Sequence, residues 1–368
     1  MSGRQALVTG ASGFIGSHVC EVLRERGHQV RAMVRRSSKL SKLDDAARGS
    51  PFELAYASLD DVEAIAEALR DVEVVYHIAG ITAAFDRAGF DRANVDGVAN
   101  LFAAISRANA SGSAVRRVVH VSSLMAAGPS HPRSPRREHH RHEPGFTLYG
   151  DSKLDGEKLA VAAARAGELE LVIVRPPLVY GPRDEDVLQM IKSAAMRVVA
   201  QPGLRSTWMS AIHGRDLAIG IALAGERGKP VPSDPDFAHV LITGDGGDPR
   251  ALGAPDDPRG SGIYYFTDGG RTTVAEFGQL AAAAMGRRAL TIPLPSFAVR
   301  SVGLLSESVG RARGRVPPLT RDKAQASLSA GWWCDDARAR QELDWSPSLP
   351  LERGLEDTIR WLRDHAWI

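Results

Sequence analysis

The first 175 residues alternate short β-branched apolar runs with longer segments of helical period, and few architectures accept that alternation. Strands are expected at Ala6 to Thr9, Gln29 to Val34, Val74 to Ile78, Arg117 to Ser122 and Leu169 to Val174. Helices are expected at Gly16 to Arg26, Asp61 to Leu69, Asn94 to Ala108 and Ser152 to Ala166. Strands joined through helices run parallel by right-handed crossovers, so the expected fold class is α/β, with a doubly wound parallel sheet. After Arg175 the texture turns Pro-punctuated. It reads as a helix near Asp186 to Val199, a strand and helix around Ser210 to Ala224, a strand at Tyr264 to Thr267, and an amphipathic helix at Leu351 to His365.

The first strand ends in Thr9-Gly10-Ala11-Ser12-Gly13-Phe14-Ile15-Gly16 and opens a helix. Glycines there let backbone approach a pyrophosphate, and the N–H groups of the helix start favour its charge. The expectation is a Rossmann-type dinucleotide site held by Gly10, Ser12, Gly13, Phe14, Ile15 and Gly16. The second strand ends Val34-Arg35-Arg36-Ser37-Ser38, without the acidic residue that would hold a ribose 2′-hydroxyl. Arg35 and Arg36 suit a 2′-phosphate, so NADP(H) is preferred and NAD(H) stays open.

The expected division is a dinucleotide-binding core over 1–176, completed by about 208–226 and 263–268. A smaller C-terminal α/β substrate lobe takes 177–207 and 269–368. Residues 227–262, rich in Gly, Pro and Asp, read as a surface insertion around one short strand, Val240 to Thr243.

With 46 basic against 44 acidic residues the net charge is +2, which argues against a nucleic-acid binder and for small-molecule partners. Cys20 and Cys334 offer neither a disulfide framework nor metal-ligand spacing, and with no apolar run long enough to span a bilayer the expected location is the cytoplasm. No metal is expected.

Tyr149 and Lys153 stand four residues apart, on one face of a helix start. A free phenol titrates near about 10, and a neighbouring ammonium would lower that value and ease proton exchange. The strand Arg117 to Val121 delivers Ser122 and Ser123 to its carboxyl end, where open α/β sheets bind ligands. A hydroxyl there can hold a substrate oxygen.

Taken together these motifs resemble the extended short-chain dehydrogenases/reductases, the NAD-dependent epimerase/dehydratase family. The resemblance spans nearly the whole chain. It includes His77-Ile78-Ala79-Gly80, Asn94-Val95-Asp96-Gly97 with Asn100, the run Arg175-Pro176-Pro177-Leu178-Val179-Tyr180-Gly181-Pro182-Arg183, and Ile212-His213-Gly214-Arg215-Asp216-Leu217. The resemblance implies Ser123 as the catalytic hydroxyl, Tyr149 as acid/base, and Lys153 bonding the nicotinamide ribose as well. It implies that Asn94 supports the helix and a proton relay, and that Ala79 and Gly80 line the cofactor path. Ser122 is a structural neighbour on the cofactor side, with Pro176 and Leu178 bordering the same path. Two departures matter. Ser58-Leu59 stands where the family usually has Asp-Leu at the adenine, and Leu178 stands where sugar-nucleotide members carry Asn to hold a diphosphate.

Leu178, the two prolines before it and Arg35 are more similar to the hydroxysteroid dehydrogenase and dihydroflavonol reductase branch, which implies ketone or alcohol chemistry on an apolar or bulky substrate. The alternatives are a nucleotide-sugar epimerase/dehydratase that retains its NAD(P), and a cofactor-binding protein without turnover.

The run Arg136 to Glu143, with three histidines, reads as a solvated loop or substrate lid rather than a metal site, and His213 as a satisfied residue at a strand end. Trp332 and Trp333 read as packing for the small lobe. Leu290 to Val309 is apolar, but Pro293, Pro295 and modest basic charge favour a helix over the substrate pocket rather than peripheral membrane contact. Stable membrane insertion is not expected. The helices Asn94 to Ala108 and Ser152 to Ala166 could form a homodimer interface.

Overall fold

Unbroken apolar runs make strands that are covered on both faces, and such runs form the middle of a seven-stranded parallel sheet here. The computed structural model describes residues 5–140, 142–233, 260–329 and 331–368. The strands are β1 (Gln5–Thr9), β2 (Gln29–Val34), β3 (Glu53–Tyr56), β4 (Val74–His77), β5 (Arg117–Val121), β6 (Glu170–Val174) and β11 (Ile263–Tyr264). Across the sheet they lie in the order β11-β6-β5-β4-β1-β2-β3. Five of these were expected from the alternation. The other two are the edges: β3, which carries no apolar run, and β11, which is shorter than the expected Tyr264 to Thr267. Of the expected insertion 227–262, residues 234–259, with the strand Val240 to Thr243, lie outside the described residues. Its flanks join the sheet edge: Val231 N donates to Leu171 O at 2.7 Å, and Gly262 O accepts from Ile173 N at 2.8 Å.

Strand order reverses between β1 and β4, so the crossovers before and after leave a crevice at the carboxyl ends of those two strands. One face of the sheet is covered by α1 (Phe14–Glu25), α2 (Ser41–Ala47), α8 (Gly214–Arg227) and α12 (Ala337–Leu343). The other is covered by α3 (Val62–Ala68), α5 (Gly97–Ala110) and α6 (Leu148–Ala166), with the short α4 (Arg87–Asp91) preceding α5.

The remaining described elements build a smaller mixed unit. β7 (Leu178–Tyr180) pairs with β10 (Ala211–His213), β8 (Val198–Pro202) with β13 (Leu290–Leu294), and β9 (Trp208–Met209) lies between β12 (Thr272–Thr273) and β14 (Gly331–Trp332). α7 (Leu188–Ala195), α9 (Val274–Ala284) and α13 (Leu351–Asp364) enclose a third core around Tyr180, Phe277 and Leu355. The helix expected to reach Val199 stops at Ala195, because Arg197 takes a left-handed φ of 65° and Val198 begins β8. Residues 290–309 are not one covering helix: Leu290–Leu294 is a strand, and only after Pro295 does α10 (Ser296–Ala312) begin.

The His-rich run is buried rather than solvated. Arg136, Glu138, His139, His140 and His142 are each under 9% exposed. Long-range partners compensate their burial: Arg136 Nη2 donates to Ala127 O at 2.6 Å and to Glu143 Oε1 at 3.0 Å. Arg175 joins Glu157 through Nε at 2.9 Å and Nη2 at 2.6 Å, while His142 Nε2 lies 2.8 Å from Nη2. A buried charge is tolerated when such hydrogen bonds surround it, and this one fastens the loop to α6 and the sheet. No cluster of three metal-ligating side chains occurs among the described residues.

Candidate active site

The crevice opens into a cleft of about 710 Å³ floored by Gly10, Ser12, Gly13, Phe14, Ile15 and Gly16. At two of its glycines a side chain is excluded by contact. A methyl on Gly10, whose φ is +67°, would come within 2.8 Å of Ala79 N, and one on Gly16 within 2.1 Å of Gly10 O. Gly13 begins α1 with no side-chain cap and no acidic residue in the first turn, so the helix start presents free N–H groups to an anion. This cradle fits the pyrophosphate of a dinucleotide.

Arg35, Ser58, Leu59, Ala79 and Gly80 also line the cleft. Arg36 does not: its guanidinium sits over the Tyr56 ring, 5.5 Å from the centroid. Beside Arg35 stand Ser38, whose Oγ accepts from Arg35 N at 3.1 Å, and Lys42, paired with Glu185 at 2.9 Å across the opening. Sequence reasoning missed Lys42 because it lies on the seven-residue α2, too short to leave a periodic signal. It also missed Asp184, Glu185 and Asp186, which line the mouth. Arg183, in the left-handed region at φ 72°, holds this acidic turn against α1 through Glu21 at 2.6 Å and His18 Nδ1 at 2.7 Å. Asp184 accepts from the backbone N–H groups of Asp186 and Val187, and burial nevertheless pushes its carboxyl up to about 7.

Gly80 joins the cleft to the expected acid/base group. A methyl there would lie 2.9 Å from Asn94 Oδ1 and 3.6 Å from Lys153 Nζ. Asn94 sits in a π-helical turn, Arg92–Asp96, that leads into α5. Its Oδ1 accepts from Ile81 N at 3.0 Å, and its Nδ2 donates to Ile81 O at 3.1 Å and to Ser152 Oγ at 3.0 Å. Ser152 in turn donates to Tyr149 O at 2.8 Å, so Asn94 fixes both the cleft wall and the start of α6.

Tyr149 lies on the first turn of α6, whose N-cap Thr147 accepts from Gly150 N at 3.0 Å. Gly150 is required: a methyl there would stand 2.6 Å from Met125 O. Asp322, on α11 (Arg321–Ser327), accepts from the free N–H groups of Leu148 at 2.6 Å and Tyr149 at 3.1 Å. Nothing local in the sequence announces that contact between residues 173 positions apart. Ser123 ends the β5 extension, its Oγ accepts from Met125 N at 3.1 Å, and the same hydroxyl favours the ionised form of the neighbouring Tyr149 phenol. Ser122 is buried beside it, and its N–H donates to Val174 O at 2.7 Å. Asn94, Ser122, Ser123, Tyr149 and Lys153 lie behind Gly80 rather than among the residues lining the cleft, and Pro176 and Leu178 do not line it either; Pro176 O accepts from Leu124 N at 2.9 Å, and Leu178 pairs with Ala211.

The electrostatics depart from expectation in one respect. Burial pushes the Tyr149 phenol up to about 12, the Ser123 hydroxyl acts against this, and the Asp186 charge adds to it. The Lys153 ammonium donates to Val121 O at 2.8 Å instead of lowering the phenol, and burial pushes Lys153 itself down to about 8. Beneath it His77 and His120 stack with centroids 5.4 Å apart; burial and then the Lys153 charge push His77 to about 3. Thr9 Oγ1 lies 2.8 Å from His77 Nδ1 and accepts from Ala79 N at 3.2 Å, which ties the glycine floor to this pair.

The sequence model of the NAD dependent epimerase/dehydratase family matches residues 6–237. The chain is 27% identical to the ceramide reductase of Caulobacter vibrioides, over 98% of this chain and 95% of that protein. It is 29% identical to sterol demethylase protein B of Methylococcus capsulatus, over 98% and 99%. Among solved structures, that of gox2253 superposes with a TM-score of 0.70 at 27% identity and covers 98% of both chains.

Proposed function

The chain belongs to the NAD dependent epimerase/dehydratase family, the extended short-chain dehydrogenases/reductases, and within it we propose a member that moves hydride between NADP(H) and a ketone or secondary alcohol on an apolar or bulky substrate. One observation carries this reading. Tyr149 and Lys153 stand one helical turn apart with Ser123 beside the phenol, and a methyl on Gly80, in the wall of the glycine-floored cleft, would lie 3.6 Å from Lys153 Nζ.

NADPH, when bound, supplies the hydride. Ser123 holds the carbonyl oxygen against Tyr149 and shares its hydrogen-bonding load. The Tyr149 O–H gives its proton to that oxygen, and its raised titration keeps it loaded through neutral pH. Lys153 places a positive charge under the phenolate that remains, which is when its attraction matters most. In the oxidative direction the same groups take the proton back.

Arg35 and Ser38 at the end of β2, where no acidic side chain stands, support the phosphorylated cofactor, and Lys42 on α2 adds a second cation although Glu185 pairs with it. An apolar substrate is supported by the two relatives named for ceramide and sterol. The test is NADPH oxidation by the purified protein with ketosteroids, β-keto acyl compounds, flavanonols and aliphatic ketones, beside Tyr149→Phe. Turnover that falls about 10²- to 10⁴-fold in the variant is expected. Silence across the panel, with nicotinamide still bound after purification, would replace the proposal with a nucleotide-sugar epimerase.

A further inference from the structure

α10 is amphipathic in the reverse of the usual sense. The stripe it buries is Val299, Gly303, Glu307 and Gly310. Its long apolar residues Phe297, Val302, Leu304, Leu305 and Val309 are between 48% and 73% exposed. At about 100° per residue these five fall on one arc of roughly 160°, with only serine and alanine between them. The small residues explain the orientation. A methyl on Gly303 would stand 2.8 Å from Ala324 Cβ, and one on Gly310 2.7 Å from Arg315 O, so α10 is drawn close to α11 by its glycines. Glu307 fixes the rotation by accepting from Arg321 N at 3.1 Å, and it also accepts from Arg311 Nη2 of its own helix at 3.0 Å.

The surroundings are basic. Residues 287–315 hold six arginines and one acidic residue, the buried Glu307. Arg300 and Arg311 border one edge of the apolar arc, Arg313 borders the other, and Arg315 follows. Among the described residues Arg300, Arg313 and Arg315 have no acidic partner, while Arg311 pairs with Glu307. Both prolines of the segment precede the helix, so neither interrupts the apolar face.

This face adjoins the candidate site. Arg311 donates to Phe85 O at 2.6 Å, and α11 carries the Asp322 that caps Tyr149. Val316 and Pro317, just beyond α10, line a second cavity of about 520 Å³ that shares Thr82, Glu185 and Asp186 with the cofactor cleft.

We propose that the outward face of α10 docks on an anionic lipid surface as a peripheral contact. Apolar side chains enter the acyl boundary while the bordering guanidiniums meet lipid phosphates. A second copy of the chain fits less well. An isologous pairing would bring both sets of arginines together with no acidic residue on the face to meet them. Docking places the cavity beside Val316 at the lipid boundary, so an apolar substrate reaches the cleft without crossing water. That use rests on the apolar-substrate reading; the docking itself rests on α10 alone.

The test is co-sedimentation of the full chain with vesicles of phosphatidylcholine alone and with about one-third phosphatidylglycerol, at low and high salt. Binding should appear with phosphatidylglycerol and weaken with salt. The double variant Phe297→Glu, Leu305→Glu should lose about tenfold or more, and Arg300→Ser with Arg313→Ser should lose the dependence on phosphatidylglycerol. Both variants should keep wild-type melting temperature and wild-type turnover of a water-soluble ketone. Equal sedimentation of wild type and the double glutamate variant, or equal binding to both vesicle types, overturns the proposal. So does a wild-type dimer that becomes monomeric in the glutamate variant without vesicle binding, which assigns the face to a second copy. Absence of ketone turnover alone refutes the reductase reading and leaves docking intact.

Discussion

Replacing Lys153 with methionine should stabilise the protein while abolishing its chemistry. Lys153 is 4% exposed, and burial pushes its ammonium from the usual 10.5 to about 8, with the Glu157 carboxylate acting the other way. At about 1.4 kcal/mol per pH unit, the buried charge costs roughly 3 kcal/mol at neutral pH. Because the folded state titrates below the unfolded one, the unfolded chain binds more protons between about pH 8 and 10.5. The penalty is therefore full below pH 8 and is relieved as pH rises through that window. Methionine matches the stem but cannot donate to Val121 O, and losing that bond returns about 1 to 2 kcal/mol. The charge term wins, so Lys153→Met should be about 1 to 2 kcal/mol more stable than wild type at about pH 7. The advantage should vanish or reverse near pH 10. The stacked His77 and His120, both pushed down by burial, stay neutral over this range and do not blur the comparison. Urea midpoints of both proteins at the two pH values, with m unchanged, give the answer. NADPH turnover in the same preparation should fall at least about 10²-fold. A variant less stable at neutral pH, or a gap that does not change with pH, would refute the argument.

Arg35→Glu should weaken NADPH about 10- to 100-fold in a fluorescence titration and leave NADH nearly unchanged, since it removes a charge-assisted phosphate contact. Equal losses for the two cofactors would remove Arg35 from the 2′-phosphate site. Glu157→Ala leaves the fully buried Arg175 without its carboxylate and should cost about 3 to 5 kcal/mol in urea unfolding. The paired replacement Glu157→Leu with Arg175→Met should recover most of that loss, and a double variant as unstable as the single one would show that the pair is not the cause.

The sheet was legible where burial is two-sided. β1, β4, β5 and β6 carry buried residues at nearly every position, so their apolar runs are unbroken and fall within a residue of expectation. β3 is an edge strand with both ends exposed, and Glu53-Leu54-Ala55-Tyr56 has no pattern a loop lacks. The spacing of Ser123, Tyr149 and Lys153 was legible because one strand end and one helix turn carry all three. Asp322 and Lys42 were not, since each acts across elements that share no local period. Polarity misled at residues 136–143, where composition suggests solvent but Arg136 and Arg175 find carbonyl, carboxylate and imidazole partners inside the protein.

α10 carries the same lesson in the opposite sense. Its sequence shows helical period, and period says that two faces differ without saying which one looks outward. That choice was made by glycines rather than by apolar residues. Gly303 and Gly310 allow backbone-close packing on α11 and on the segment leading to it, and Glu307 accepts from Arg321 N on that side. Turning the helix by half a turn would bury Leu305 and Phe297. The same rotation would strip Glu307 of its bond from Arg321 N and force long side chains into a gap sized for a hydrogen atom. Overpacking of that kind costs about 1 to 3 kcal/mol, and the lost Arg321 bond adds to it. The outward face of α10 is therefore set by Gly303, Gly310 and Glu307, and the proposed lipid contact calls for no rearrangement of the fold.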